Sequence, residues 1–327
     1  MSTVDDSFEL FRRSLDYYRN GFFERAVAVK EKYQEEVDYY SLWQSDRRSD
    51  VAVTVTFVVV SHKGRQGLVE CIDSLLAQED PDFEIVLVDN GGNEGVWGEL
   101  KTRRLLHVAP PMNVFPSEGR NIGGEFARGE YIAFIDDDAL VDRGYVTSLK
   151  YAWKNFEFSA IRGRVLPKGG AGNEDFVGHY DLGQFPVPAV LITEGNMAIP
   201  ASVFREVGGF DPLVFGGEGT ELTYRCQKMF PQRDIFYWPG IKIYHDYAAG
   251  ANLAAKKARH ALSRRYFRYL APEINGLQKQ YGRWYQRRPG AIDPYDRRGT
   301  VEKLRARISE MSMAAARWLP RGGGGVR

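Results

Sequence analysis

The spacing of hydrophobic residues divides the chain into three segments, and the first segment has the spacing of helices. Large apolar side chains recur there every three or four positions, which places them on one helical face. They are Phe8, Phe11, Leu15, Tyr18 and Phe22. Gly21 is suited to end this helix, and a second helix is predicted over about residues 23–40. We expect a helical extension over residues 1–50 that packs on the main domain, with contact to a partner helix as the alternative.

The second segment, residues 51–250, has buried strands alternating with helices. Residues 53–60 are nearly all apolar and β-branched, as in a strand covered on both faces. A stretch of helical spacing follows, and residues 84–88 form the next apolar run. The helical positions are Leu68, Cys71, Ile72, Leu75 and Leu76. This order predicts two parallel strands joined by a crossover helix. Further strands are predicted at residues 131–135, 160–166, 190–199 and 235–244.

The third segment, residues 251–320, is predicted to be helical and basic. One face of its first helix is lined by Ala258, Leu262, Tyr266 and Leu270. A region rich in Pro, Asp and Arg interrupts the pattern, and a last helix is predicted over residues 301–318. The glycine-rich residues 321–327 are expected to form a flexible tail.

The net charge of +1 conceals opposite charges in these segments. The whole chain has 44 Lys and Arg and 43 Asp and Glu. Residues 251–327 contain 18 basic and 5 acidic residues, whereas residues 51–250 contain 18 and 27. The basic end is interpreted as a helix packed on the domain with a solvated basic face. Docking on an anionic membrane surface and binding to an acidic polymer are the alternatives. No standard nucleic-acid module is present, so no nucleic-acid partner is expected, and the oligomeric state stays open.

The sequence lacks the features of a secreted or membrane-spanning chain. Two cysteines, Cys71 and Cys226, are too few for a disulfide framework, and a buried thiol is expected at Cys71. The longest apolar run, residues 51–60, has half the length of a transmembrane helix. No signal peptide is recognised. We therefore expect a cytoplasmic location, with peripheral contact at the inner face of the membrane through residues 251–320 as the further hypothesis.

Three consecutive carboxylates, Asp136, Asp137 and Asp138, follow directly after a predicted buried strand. Their mutual repulsion would raise their pKa values unless something compensated it. A divalent cation with oxygen ligands resolves the conflict, and the carboxyl end of a strand is where α/β sheets bind ligands. Alternate residues of an extended chain point the same way, so Asp136 and Asp138 are able to share one ion. A solvated acidic turn is the alternative.

Seven short motifs in residues 53–246 occur in the order that one enzyme family shows. They are FVVVSHKGR (57–65), SLLAQ (74–78), IVLVDNGG (85–92), GRNIG (119–123), ARGEYIAFIDDD (127–138), GNMA (195–198) and VGGFD (207–211). This part of the chain resembles a family 2 glycosyltransferase with the GT-A fold. The resemblance implies an α/β fold in which helices flank a Rossmann-like mixed central sheet, here with helical extensions at both ends.

The resemblance also implies a reaction and its site residues. A sugar would pass from a nucleoside-diphosphate donor, UDP- or dTDP-linked, to a hydroxyl of a glycan or lipid-linked acceptor, with Mn²⁺ or Mg²⁺ as cofactor. This activity belongs to glycan or polysaccharide synthesis. The residues that match donor-binding positions are Ser61, His62, Arg65, Asp89, Arg120, Asn121, Asp136 and Asp137. The matching metal ligands are Asp136, Asp138 and His245, and the matching sugar or acceptor contacts are Glu194, Gly195, Asn196 and Glu221.

One position departs from the family pattern. Inverting members place a catalytic carboxylate, the second of an acidic pair, where this chain has Gly219. Direct displacement needs a base for the acceptor proton, so Glu218 is the predicted base and Glu221 the alternative. A non-catalytic sugar-binding protein derived from a transferase is a rival interpretation. A sugar nucleotidyltransferase is another, although the chain lacks the Gly-rich, Arg/Lys-bearing loop that a triphosphate would require.

Overall fold

The computed structural model describes residues 43–63, 67–91, 98–100, 103–110, 113–168, 180–245 and 250–277. The two helices predicted within residues 1–42 lie outside the described residues. The same holds for the helix predicted at 301–318 and for the tail at 321–327.

The described residues contain ten strands and six main helices. The strands are β1 (Trp43–Asp46), β2 (Val55–Ser61), β3 (Phe83–Asp89), β4 (Leu106–Ala109), β5 (Tyr131–Asp136), β6 (Leu140–Val141), β7 (Phe158–Pro167), β8 (Val187–Pro188), β9 (Asn196–Pro200) and β10 (Asp234–His245). The helices are α1 (Gly67–Leu76), α2 (Phe115–Glu125), α3 (Tyr145–Asn155), α4 (Ala201–Glu206), α5 (Glu218–Met229) and α6 (Gly250–Leu270).

The strands form one mixed sheet in the order β1-β4-β3-β2-β5-β9-β7-β10-β6, and β8 pairs with β10. β2 is parallel to β3 and β5. β9 lies antiparallel between β5 and β7, and β10 is parallel to β7. The strands β2, β3, β5 and β10 therefore run in the same direction, and their carboxyl ends meet at one edge of the sheet. The prediction of a mixed central sheet flanked by helices is confirmed.

Helices cover both faces of the sheet, and the alternation of side chains along β2 shows why its whole sequence is apolar. Phe57 and Val59 pack into the cluster that contains apolar residues of α1 and α3. Val58 points to the other face and joins the cluster that contains apolar residues of α2, α4 and α5. The thiol of Cys71 is buried under the first face, as predicted, and that of Cys226 is buried under the second.

Two predictions of secondary structure are wrong. The first described residues of the predicted helical extension, Trp43–Asp46, form the edge strand β1, which pairs antiparallel with β4. The strand predicted over residues 190–199 begins only at Asn196, because the backbone turns just before it and Asn196 N donates to Thr193 O. An apolar run alone does not reveal such a turn.

The helix predicted after residue 250 is present as α6, and its C-terminal half packs on the domain. Tyr266, Phe267 and Ile274 form a buried cluster with Leu213, Val214 and others. The predicted apolar face is wrong at Leu262, whose residue surface is 36% exposed, whereas Ser263 is buried. Among the described helices, none combines the length and hydropathy needed to cross a bilayer.

Candidate functional site

The three predicted metal ligands meet at the edge of the sheet where the parallel strands end. Asp136 is the last residue of β5, Asp138 follows two residues later, and His245 is the last residue of β10. One ligand atom from each lies within 4.8 Å of the other two. His245 Nε2 is 2.9 Å from Asp138 Oδ1 and 3.7 Å from Asp136 Oδ2. All three side chains are partly exposed, so this cluster is accessible to solvent.

Gly195 explains why Asp136 is able to lie where it does. A Cβ atom at Gly195 would lie 1.9 Å from Asp136 Cγ and 2.0 Å from its Oδ2. The backbone is bonded at the same place, since Asp136 N donates to Gly195 O at 3.2 Å. The carboxylate therefore rests directly on a glycine backbone, which a residue with a side chain would prevent.

Asp137 and Ser61 lie beneath the site rather than on its surface. Ser61 Oγ donates to Asp137 Oδ2 at 2.7 Å, and the two residues are 1% and 6% exposed. The bond ties the end of β2 to the loop after β5. Both were predicted to bind the donor, which stays a prediction; the bond between them stabilises the loop that carries Asp136 and Asp138.

The predicted nucleotide-base edge forms around the end of β3. Asp89 Oδ1 accepts from Gly91 N at 2.9 Å, and its Oδ2 lies 3.2 Å from His107 Nε2. His62 Nδ1 lies 3.0 Å from Asn90 O. Arg65, which was predicted to bind the donor, lies outside the described residues. The predicted contact of Asp89 and His62 with a nucleotide base stays a prediction.

Arg120 connects the acidic cluster to the rest of the site. Its Nη2 donates to Asp136 Oδ1 at 3.4 Å, and its guanidinium lies 5.6 Å from the centre of the Phe210 ring. The residue is 9% exposed. Its Nη1 atom is buried and has no hydrogen-bond partner among the described residues. A buried guanidinium N–H of this kind is suited to donate a hydrogen bond to an oxygen atom of a ligand.

Asn121 makes hydrogen bonds to a neighbouring turn. Its Oδ1 accepts from Phe210 N at 2.7 Å, and its Nδ2 donates to Phe210 O at 3.0 Å and to Glu118 Oε2 at 2.8 Å. The amide therefore binds both polar backbone atoms of Phe210. It fixes the turn at Gly208 and Gly209, whose φ angles are +78° and +69°. Asn121 therefore stabilises this turn, and its donor contact stays a prediction.

Asn196 lies beneath the surface of the site, and its predicted sugar or acceptor contact stays a prediction. The residue is fully buried. Its Nδ2 donates to Arg164 O at 2.9 Å and to Ile241 O at 3.3 Å. Its Oδ1 accepts from Tyr145 Oη at 3.1 Å. The side chain thus joins β7, β10 and α3 beneath the site.

Glu218, the predicted base, is the first residue of α5 and is 6% exposed. The pKa of its carboxyl is raised from 4.5 to about 7, chiefly by burial and also by the nearby charge of Glu194, while Arg120 opposes the shift. At neutral pH such a carboxyl exchanges a proton readily in either direction.

Gly219 has no room for the carboxylate that the family pattern would place there. A Cβ atom would lie 2.0 Å from Leu191 O and 3.0 Å from Glu194 Oε1. Glu194 Oε1 accepts a hydrogen bond from Gly219 N at 2.7 Å. The absence of an acid at this position is therefore built into the packing of α5 against residues 191–194.

Glu221, the alternative base, is neutralised by an ion pair. Arg225 donates to both of its carboxylate oxygens, from Nε to Oε1 at 2.6 Å and from Nη2 to Oε2. Arg225 also donates to Val207 O. Because Glu221 is 5% exposed and held by a bidentate partner, it stabilises α5 and is poorly suited to accept a proton.

Sequence reasoning missed two parts of the site. The first is His107, on the neighbouring strand β4, which faces Asp89. The second is Asn90, whose side chain ties the loop after β3 to the start of α2 by accepting from Val114 N and donating to Phe115 O. The position of Asn90 directly after Asp89 was a signal for its role. His107 had none, because only the pairing of β3 with β4 brings it to the edge.

A comparison with known protein families agrees with this geometry. The model of the family described as Glycosyl transferase family 2 matches residues 56–197, which include β2, Asp89, Arg120 and all three aspartates after β5. Residues 56–197 therefore match glycosyltransferase family 2. Glu218 and His245 follow the matched range, so the family match does not include them.

Curated relatives of this chain are similar over part of their length. The succinoglycan biosynthesis protein ExoO of Rhizobium meliloti is 29% identical over 129 residues, 36% of this chain and 37% of the relative. The pre-mycofactocin glycosyltransferase of Mycobacterium tuberculosis is 24% identical over 211 residues, 59% of this chain and 43% of the relative. The matched region thus spans about two fifths of each of these relatives.

Solved structures share the fold at low sequence identity. Staphylococcus aureus TarS 1–349 in complex with UDP-GlcNAc superposes with a TM-score of 0.52 at 12% identity and covers 70% of this chain and 75% of that one. GalNAc-T7 with UDP, GalNAc and Mn²⁺ gives 0.50 at 15% identity and covers 73% and 56%. The predicted GT-A fold is thereby confirmed.

Proposed function

We propose that this protein transfers a sugar from a nucleoside-diphosphate donor to an acceptor hydroxyl, with a divalent metal ion and with inversion at the anomeric carbon. The observation that carries the proposal is the convergence of Asp136, Asp138 and His245 at the carboxyl edge of the sheet, with Arg120 beside Asp136. The match of residues 56–197 to glycosyltransferase family 2 supports the reaction class.

The residues present fit a divalent cation. Two carboxylates and one imidazole converge within 4.8 Å, and this donor set suits Mn²⁺ well and Mg²⁺ through its oxygens. Asp136, Asp138 and His245 would hold the ion. When bound, the ion offsets the negative charge of the donor diphosphate. Arg120 adds a fixed positive charge beside Asp136, and its buried Nη1–H is available to a phosphate oxygen.

Glu218 is the proposed general base for the acceptor. The acceptor oxygen forms a bond to the anomeric carbon while the bond from that carbon to the diphosphate oxygen breaks. Glu218 accepts the hydroxyl proton, and the diphosphate leaves with the bonding electron pair. A carboxyl with a pKa of about 7 is both ionised in large part and still basic near neutral pH.

A uracil or thymine nucleotide is the proposed base of the donor. Asp89 has a side chain that is 15% exposed and lies at the end of β3, where it can accept the ring N–H of such a base. The neighbouring fold in TarS was determined with UDP-GlcNAc, and that in GalNAc-T7 with UDP and Mn²⁺, which supports the same donor class. The naming of a relative for succinoglycan biosynthesis supports a role in polysaccharide synthesis.

The acceptor is proposed to be a glycan or lipid-linked saccharide reached from the cytoplasmic face of the membrane. On α6, the exposed residues Arg264, Arg265 and Arg268 are spaced to share one side of the helix, opposite the packed face. This basic stripe supports peripheral contact with an anionic membrane surface.

The proposal is tested by the release of nucleoside diphosphate from a panel of UDP- and dTDP-sugars, with Mn²⁺ or Mg²⁺. We expect release with at least one donor, and a loss of at least about 100-fold in Asp138→Ala, because one metal ligand is removed. Asp73→Ala removes an exposed carboxylate on α1 and serves as the matched control. Equal activity in Asp138→Ala and the control would contradict the proposal.

A further inference from the structure

Glu194 joins the two halves of the site. It precedes Gly195, whose backbone rests against Asp136, and its Oε1 accepts a hydrogen bond from Gly219 N, next to Glu218. We propose that Glu194 is a positioning residue that completes an acidic pair with Glu218, by fixing the first turn of α5 and by placing a second negative charge beside the base. This inference rests on the proposed function, in which Glu218 receives the acceptor proton.

The first turn of α5 needs a cap from outside the helix. The first backbone N–H groups of any helix lack partners within it, and a side chain at the N-cap usually accepts from one of them. The N-cap here is Gly217, with φ +95°, which makes no side-chain cap. Glu194 supplies the missing acceptor from the segment before β9, 25 residues away in sequence. A carboxylate there is also favoured by the helix dipole.

The same contact replaces the acid that the sequence lacks at position 219. The space into which a side chain of residue 219 would extend is filled by Leu191 O, at 2.0 Å, and by Glu194 Oε1, at 3.0 Å. A carboxylate oxygen therefore occupies the neighbourhood of residue 219, but it comes from another segment. Family members have this acidic pair at adjacent positions in sequence, whereas here Glu218 and Glu194 form it from two separate segments.

Several charged and polar groups face Glu218. Glu194 approaches from the segment before β9 and Arg120 from α2, with opposite effects on the charge of Glu218. Backbone N–H groups of Gly216 and Glu218 itself favour the ionised form. From α6, His260 Nδ1 lies 3.8 Å from the position that a Cβ atom of Gly217 would take.

On α5 itself, Glu221 is already paired with Arg225. Glu194 is therefore the carboxylate whose charge bears on Glu218, and removing that charge makes Glu218 a weaker base.

Folding stability measures this coupling without any substrate. A carboxyl whose pKa is raised by folding contributes stability below its unfolded value of 4.5, and that contribution is lost as the pH rises through about 7. At pH 8 Glu218 carries charge and Glu194 repels it. At pH 5 Glu218 is protonated and the repulsion is absent. The change in melting temperature between the two pH values therefore isolates the interaction.

The experiment is a double-mutant cycle of Glu194→Gln, Glu218→Gln and the double variant at pH 5 and pH 8. Glutamine keeps an oxygen that accepts from Gly219 N, so the cap is retained and only the charge is removed. We expect each single variant to raise the melting temperature by about 2–4 °C more at pH 8 than at pH 5. The double variant should gain less than the sum. Glu70→Gln, on the exposed face of α1, is the control and should show no such difference.

A second readout links the pair to the reaction. In Glu194→Gln the rise of kcat/KM with pH should move to lower pH by about half a unit to one unit, because the base loses a neighbouring negative charge. Glu194→Ala also removes the cap, so its melting temperature should fall at both pH values. If Glu194→Gln behaved alike at pH 5 and pH 8 and kept the wild-type pH profile, Glu194 would be a helix cap alone and the inference would be overturned. If no donor were turned over while the thermal coupling persisted, the proposed function would fail and the acidic pair would stand.

Discussion

Single residues without side chains determine where the acidic groups of this site lie. At Gly195 the Asp136 carboxylate occupies the position of a Cβ atom, and at Gly219 the backbone of Leu191 does so. In both places the glycine is required by a close approach rather than by its φ angle. The chemistry of the site therefore depends on two positions that carry no functional group.

Gly195→Ala tests the first of these approaches. The added methyl group would overlap Asp136 and force its carboxylate away from Asp138 and His245. We expect the affinity for Mn²⁺ to fall by about 10- to 100-fold, as for other changes around metal ligands. The measurement is the electron paramagnetic resonance signal of free Mn²⁺ during titration. Gly276→Ala, where a Cβ atom meets nothing within 4 Å, should bind as the wild type does. An unchanged affinity in Gly195→Ala would refute the account of this contact.

Glu218→Gln tests the proposed base. Because the amide cannot take up the proton of the acceptor hydroxyl, kcat should fall by about 10²- to 10⁴-fold, with little change in donor binding. In the wild type, kcat/KM should rise with pH through about 7, since only the ionised carboxyl acts as a base. Glu125→Gln, an exposed change on α2, is the control. Full activity in Glu218→Gln would remove Glu218 from the reaction.

The metal cluster was predictable from the sequence residue by residue, because its aspartates follow an apolar strand and the resemblance supplied His245. The contacts of Asn196 and Asn121 were not predictable. Both are polar residues within glycine-containing motifs. In the structure, however, their side chains bind backbone groups that are distant in sequence. A polar residue in a motif is compatible with either role until its hydrogen-bond partners are known.

At the scale of elements, α6 holds the turn that leads into α5. Tyr266 Oη donates to Asp211 Oδ2, Ser263 Oγ donates to Phe215 O at 3.3 Å, and Arg259 lies 4.7 Å from the centre of the Phe215 ring. These contacts connect the basic C-terminal helix to the residues just before Glu218. The helix therefore supports the proposed base in addition to presenting charge.

Tyr266→Phe tests this support. The change removes the hydroxyl that binds Asp211 and leaves a buried carboxylate oxygen with one partner fewer. The cost should be about 1–3 kcal/mol in the free energy of unfolding, measured by urea denaturation. Tyr151→Phe, at a residue that is 58% exposed, should change stability by less than about 0.5 kcal/mol. Equal stabilities of the two variants would show that the bond to Asp211 contributes nothing.

Strands covered on both faces were the elements most readily predicted, because their sequences are apolar throughout. β1 was not, since four residues at a sheet edge carry little pattern, and Gln44 and Asp46 of this strand are exposed. The face of α6 was misjudged at Leu262 because the helix packs through Ser263 and Phe267 as well as Tyr266. Periodicity identifies a helix more reliably than it identifies the side that is buried.

At the scale of the whole molecule, a nearly neutral protein carries an acidic site segment and a basic end. Because the proposed donor is anionic and this segment is acidic, the proposal includes a cation and Arg120 to offset the repulsion. The exposed arginines of α6 lie on the side of that helix that faces away from the domain. The negative charge thus lies in the segment that contains the site and the positive charge lies at the C-terminal end, although the total is close to zero.

Reversing the charges at Arg264, Arg265 and Arg268 to Glu tests membrane contact. The proposal predicts that wild-type protein floats with vesicles containing anionic lipid, and that the triple variant loses most of this binding, since each arginine near the surface contributes about 1 kcal/mol. A control with Arg47, Arg104 and Arg143 changed to Glu removes the same charge from other exposed sites. Equal recovery of the two triple variants with the vesicles would exclude the α6 stripe as the contact.

The central claim, that Asp136, Asp138 and His245 hold a metal ion through which a nucleotide binds, is tested most directly by calorimetric titration of UDP and dTDP. Binding should be measurable with Mn²⁺, and it should weaken by at least about tenfold when the metal is chelated or when Asp138 is changed to Asn. Asp73→Asn should bind as the wild type does. Nucleotide affinity that is the same with Mn²⁺, with chelator and in Asp138→Asn would contradict the account.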